Sequence, residues 1–239
     1  AYGSRLGVTI DMLNKADEEV LNGVEGLHFH TLCEQNSDAL AITLKAVEDK
    51  FGHIMKNMKW INMGGGHHIT RDDYDIKRLE KCINHVKKTY NVDVYVEPGE
   101  AVALNAGYLV TEVLDKVDNG IETLILDASA ACHMPDVLEM PYRPPLLGAG
   151  EPGENAVTVR LGGPTCLSGD VIGDYSFQKP LAYGDLLMFG DMAIYTTCKN
   201  NTFNGMPLPD IWLRHGDKTM ERLTDFGYED FKGRLGHRR

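Results

Sequence analysis

Apolar positions in the first hundred residues follow two rhythms. Short apolar runs at 4–8 (SRLGV), 26–30 (GLHFH), 60–64 (WINMG) and 92–99 (VDVYVEPG) are bounded by glycine, proline or polar residues, and each predicts a strand. Between them, 11–21, 36–58 and 73–90 carry apolar residues at three- and four-residue spacing, which predicts helices. Leu40, Leu44 and Val47 draw one such stripe, with Asn36 or Ser37 as its N-cap. Alternation of strand and helix at this interval is the signature of parallel βα units.

Past about residue 105 the rhythm changes. Runs at 107–117, 122–129, 156–163, 170–177, 185–196 and 209–215 predict strands separated by Gly, Pro and Asp turns, with no helices between them, as in an antiparallel barrel or sandwich. An amphipathic stretch at 220–235 predicts a closing helix, and 141–156 a mobile loop. The fold class is therefore α/β followed by β, with domains 1–105 and 106–239. An eight-stranded βα barrel needs roughly 250 residues. The first domain is thus either a small open α/β layer or the C-terminal half of such a barrel, whose N-terminal part this sequence lacks.

Composition narrows the function classes. The chain has 239 residues, 43% hydrophobic and 25% charged, as a soluble globular protein does, and its net charge of -11 disfavours nucleic-acid binding. Five cysteines without a CxxC pair suggest neither a disulfide framework nor a zinc ribbon, so the expected setting is a reducing cytoplasm. No segment is apolar enough to predict a membrane span.

Chemistry concentrates at strand ends. His28 and His30, two apart on a strand, share a face, and His67 and His68 follow the next strand; this pattern fits a metal site, or a packed core His28 and a loop His68. Gly64–Gly66 follow a strand directly, and glycine lets backbone N–H groups approach an anion, though a simple turn explains them equally well. EPGE (97–100) would present a carboxylate at a barrel mouth or merely turn the chain. GGPTCLSGD (162–170) sets Cys166 and Asp170 in a glycine-rich connection, and 189–205 offers Tyr195 before an Asn204-Gly205 turn.

The order HFH, GGGHH, EPGE, GPTCLSGD, DMAIYT, TFNG resembles the fold-type III, alanine racemase-like pyridoxal phosphate decarboxylases, which include ornithine and diaminopimelate decarboxylases. Within them, GLHFHTLCEQNSDAL, WINMGGGHHITRDDYD, YVEPGEAVALNAGYLV and CHMPDVLEMPYRP are similar to the branch acting on carboxynorspermidine and carboxyspermidine in polyamine biosynthesis. The resemblance runs from Ser4 to Gly233. It implies a lyase with a (β/α)8 barrel, a β-domain, pyridoxal 5'-phosphate, and a homodimer with active sites shared between subunits. It also implies roles. His30 would stack on the cofactor ring, Gly64, Gly65 and Gly66 would donate N–H groups to its phosphate, Glu97 would pair with the ring nitrogen, and Tyr195 would reach the phosphate. Cys166 would supply a proton across the dimer interface.

Three departures from the wider family matter. Where relatives read EPGR, this chain has Glu100, which implies a carboxylate facing a cationic substrate amine together with Asp136. Leu167 replaces a common acidic residue, shifting that task to Asp170 and Asp127. No lysine occupies the place of the family's cofactor-bearing lysine, so an N-terminal segment carrying it is expected to be missing from this sequence. A regulatory homologue that keeps the fold without catalysis, a related amino-acid decarboxylase, and a metal hydrolase built on HFH and GGGHH are the competing readings; EPGE and the later motifs have no place in the last.

Overall fold

Asn36 stands at the N-cap of the longest described helix, its Oδ1 accepting from the Ser37 N–H at 2.7 Å. The computed structural model describes residues 3–236 and divides into two compact units between Leu104 and Asn105. The first unit holds a parallel sheet in the order β1 (Gly26–His28), β2 (Trp60–Asn62), β3 (Asp93–Tyr95). Parallel neighbours need a crossover, and here each is a helix. The short α1 (Ile10–Leu13) precedes β1, α2 (Ser37–Met55) joins β1 to β2, α3 (Ile76–Tyr90) joins β2 to β3, and α4 (Gly99–Ala103) follows β3. Leu40, Leu44 and Met55 of α2 pack with Leu79, Cys82 and Val86 of α3 and Ile61 of β2 in one buried cluster.

Two expectations for this unit fail. SRLGV forms no strand: every residue of 4–8 is exposed, and none pairs with a strand among the described residues. Residues 11–21 do not form one helix: α1 ends at Leu13, and a separate 3-10 turn spans Glu18–Leu21.

The second unit is built on β4 (Leu109–Asp118), β5 (Glu122–Leu126), β6 (Val157–Gly162), β7 (Val171–Phe177) and β8 (Leu186–Phe189), in the order β7-β6-β5-β4-β8. Its core gathers Val113, Leu124, Leu126, Leu161, Tyr175 and Phe189. All pairings are antiparallel except β5 with β6, which is parallel. That exception corrects the expectation of strands without helices, since α5 (Ala130–His133) and α6 (Asp136–Glu139) lie within the β5–β6 crossover. The loop over 141–156 is irregular but tied down: Arg143 bonds the Gly150 carbonyl at 3.3 Å, and Gly150 pairs with Ser176.

The chain after β8 also departs from its pattern. The strand expected over 185–196 stops at Phe189 and gives way to α7 (Tyr195–Lys199). The helix expected over 220–235 is divided: Met220–Thr224 is β10, paired antiparallel with β9 (Ile211–Arg214), and only α8 (Tyr228–Arg234) is helical. The described strands of this unit make one curled five-stranded mixed sheet and one hairpin.

Candidate functional site

In a parallel sheet the carboxyl ends of all strands lie on one side, which is where α/β proteins place their chemistry. The HFH, GGG and EPGE motifs follow β1, β2 and β3, and backbone bonds draw them together. Phe29 donates to the Asn62 carbonyl at 3.0 Å, Met63 to that of Tyr95 at 2.9 Å, and Glu97 to that of Gly64 at 2.8 Å. Glu97 becomes the hub. Its Oε1 accepts from Asn62 Nδ2 at 2.7 Å and lies 3.2 Å from His28 Nε2, while Oε2 lies 3.9 Å from His30 Nδ1. All three titratable side chains are about half exposed, so this hub faces solvent.

The glycines are dictated first by packing. A methyl group at Gly64 would sit 2.4 Å from the Phe29 carbonyl oxygen, at Gly65 2.7 Å from that of Glu97, and at Gly66 2.3 Å from that of Leu32. Gly64 and Gly66 also adopt φ of 71° and 78°. The Gly64 N–H is already donated to Asn62 Oδ1 at 2.9 Å. The Gly65 and Gly66 N–H groups have no acceptor among the described residues. Two adjacent free N–H groups beside an exposed imidazole and carboxylate suit a ligand carrying both an anionic group and a flat, protonatable ring. Pyridoxal 5'-phosphate has that chemistry, and the residues fit it.

The histidines after the glycines are buried. His67 Nε2 lies 3.4 Å from the Met63 carbonyl, and burial holds its pKa below the ordinary value. His68 Nε2 lies 3.3 Å from Glu100 Oε2. Ligating atoms of Glu34, His68 and Glu100 fall within 4.8 Å of one another, as do those of His28, His30 and Glu97. Two concavities of the unit lie elsewhere, one lined by Leu44, Glu48 and His85 between α2 and α3, the other by Leu13, His53 and Met58.

In the second unit, Cys166 is exposed on the loop after β6, its N–H donated to Asn204 Oδ1 at 3.0 Å. The expectation that Asp170 meets a substrate amine is corrected by its surroundings. It is 4% exposed, and its carboxylate accepts from Ser129 Oγ (2.8 Å), Ala131 N (3.2 Å), Thr165 Oγ1 (2.6 Å) and Thr165 N (3.4 Å). With those acceptor positions filled, it holds the Cys166 loop instead. Asp136 pairs with Lys199, whose ammonium is thereby held above its usual pKa, and Glu139 shares that lysine. Asp127 Oδ1 accepts from the Thr111 hydroxyl and from Glu112 N at 2.9 Å, yet the residue is exposed. Tyr195 opens α7 and is 54% exposed.

Local sequence does not single out Asn62, Thr165 or Asn204 for these contacts; the one signal is Asn62, a polar residue at a strand end ahead of the glycines, while Asn204 marks only a turn.

The C-terminal sheet domain of the pyridoxal-dependent decarboxylases matches this chain over residues 41–193. A carboxynorspermidine/carboxyspermidine decarboxylase from Campylobacter jejuni is 42% identical, the alignment covering 95% of this chain and 62% of that protein. A carboxyaminopropylagmatine decarboxylase from Synechocystis is 41% identical, over 98% of this chain and 60% of that protein. The chain thus spans about three fifths of the length of these curated relatives. The crystal structure of carboxynorspermidine decarboxylase complexed with norspermidine, from Campylobacter jejuni, superposes with a TM-score of 0.86 at 42% identity, covering 98% of this chain and 66% of that one.

Proposed function

Because the chain belongs to the pyridoxal-dependent decarboxylases, we propose that the protein carrying it removes carbon dioxide from carboxynorspermidine or carboxyspermidine, leaving norspermidine or spermidine. In this reading residues 1–105 are the C-terminal half of a (β/α)8 barrel that binds pyridoxal 5'-phosphate, and 106–239 are the β-domain. The protein works in the cytoplasm as a homodimer with shared active sites. No helix among the described residues is long and apolar enough to cross a membrane.

One observation carries the reading: the half-exposed Glu97 carboxylate, gripped through Oε1 by Asn62 and His28, next to two unpaired glycine N–H groups. When bound, the cofactor supplies an electron sink for the bonding electrons left as carbon dioxide departs. Glu97 would hold the ring nitrogen and favour its protonated form. The His30 ring, whose Cε1 lies 3.1 Å from where a Gly65 methyl would be, offers a flat face for stacking. Gly65 and Gly66 would donate their N–H groups to the cofactor's phosphate. Cys166, on a loop held by Asn204 and Asp170, delivers the proton that replaces the carboxylate. Asp127 and Asp136 meet the distal amines of the substrate.

A second substrate deserves equal standing, since the relative acting on carboxyaminopropylagmatine is as similar as the one acting on carboxynorspermidine. The test is carbon dioxide release by the intact protein from each of the three carboxylated amines in turn. Release from at least one is expected, with Glu97→Gln lowering kcat by about 100-fold or more, the scale of removing a preorganised electrostatic partner. Release from none of the three overturns the reading.

A further inference from the structure

We propose that Glu34, His68 and Glu100 form a binding site for a divalent first-row metal ion, distinct from the His28, His30 and Glu97 hub. The backbone brings the three together. Gln35 forms a parallel bridge with His67 and donates its N–H to the Gly66 carbonyl at 3.0 Å, which sets Glu34 beside His68. The Thr70 hydroxyl donates to the Ala101 carbonyl, which draws α4 and Glu100 to the same turn. One ligating atom from each residue then lies within 4.8 Å of the others.

The imidazole singles this cluster out. The His68 side chain is 6% exposed, and its Nε2 points into the cluster yet has no hydrogen-bond partner; at 3.3 Å the Glu100 oxygen is too poorly aligned to serve as one. A buried ring nitrogen left without a hydrogen-bond partner is unfavourable, and an imidazole nitrogen grouped with two carboxylates is a donor set that Zn²⁺ and Mn²⁺ accept. A substrate ammonium, the occupant expected for Glu100 from the sequence, would pair with both carboxylates but takes no coordinate bond from the buried imidazole. The hub at Glu97 differs, because its members are 46–48% exposed and Glu97 is already held by Asn62. The inference does not rest on the decarboxylase reading.

The test is calorimetric titration of the chelator-treated intact protein with ZnCl₂ and MnCl₂ alone, together with metal content after purification. One ion per chain is expected, with Kd rising by about tenfold or more in Glu34→Gln, His68→Asn and Glu100→Gln, and unchanged in Glu97→Gln. Glu34 is exposed, so its variant keeps the fold and the comparison stands even if His68→Asn does not fold. Saturable binding that ignores these variants and is lost in Glu97→Gln moves the metal to the other cluster and overturns the proposal. So does an absence of binding. Norspermidine alone serves as a second titrant: a response to Glu34→Gln for the polyamine but not for the metals would make this an ammonium site instead.

Discussion

Gly66 has its identity fixed by the neighbouring backbone before any ligand arrives. Its φ of 78° disfavours a side chain, and a Cβ would lie 2.3 Å from the Leu32 carbonyl oxygen and 2.8 Å from the Cys33 nitrogen. Adding left-handed strain to overpacking, Gly66→Ala should cost about 2–5 kcal/mol, read as a lowered denaturant midpoint with unchanged slope. A conserved midpoint would mean that the 32–34 segment can retreat. Glycine here serves the fold and at the same time leaves an N–H without an acceptor among the described residues, so the turn and the proposed phosphate cradle make compatible demands on the motif.

At the scale of elements, the loop between β6 and β7 shows how a buried charge can act through another residue. Asp170 ties Thr165 to Ser129 and Ala131 at the start of α5, so the loop tip carrying Cys166 is braced from beneath. Replacing it by Asn would turn amide hydrogens toward existing donors. We expect Asp170→Asn to destabilise by about 2–4 kcal/mol. It should also speed amide exchange at Thr165 and alkylation of Cys166. If stability falls while those two rates stay fixed, Asp170 supports the core without positioning the loop.

For the molecule as a whole, pH dependence follows from buried imidazoles. His133 is 3% exposed; its Nδ1 accepts from Ser129 N at 3.1 Å, so Nε2 carries the proton toward the Pro207 carbonyl at 2.9 Å. Burial lowers its pKa from 6.5, and that of His67 moves the same way for the same reason. The unfolded chain therefore binds protons that the folded chain refuses once pH falls below about 6.5, so stability is complete above that pH and declines beneath it. The thermal midpoint should drop between about pH 7 and 5, and His133→Gln should flatten this slope while lowering the midpoint at neutral pH. A slope identical in the variant would assign the effect to His67 or to carboxylates.

Local pattern alone determined a good deal. The βα rhythm located β1, β2, β3 and the long helices, because a 3.6-residue stripe such as Leu40 and Leu44 has one stable use, burial against a sheet. The motif order carried the family and named Glu97, His30 and the glycines as a group. Tertiary structure decided the rest. Among the described residues SRLGV has no partner strand, MERLT pairs with β9, and β5 runs parallel to β6, all outcomes of long-range pairing that a local window does not contain. The same limit governed the carboxylates. Asp170, Asp136 and Glu100 look alike in sequence, and only their folded neighbours distinguish a saturated brace, a lysine partner and a group facing a buried imidazole, since a charge takes its role from what lies within a few ångströms of it.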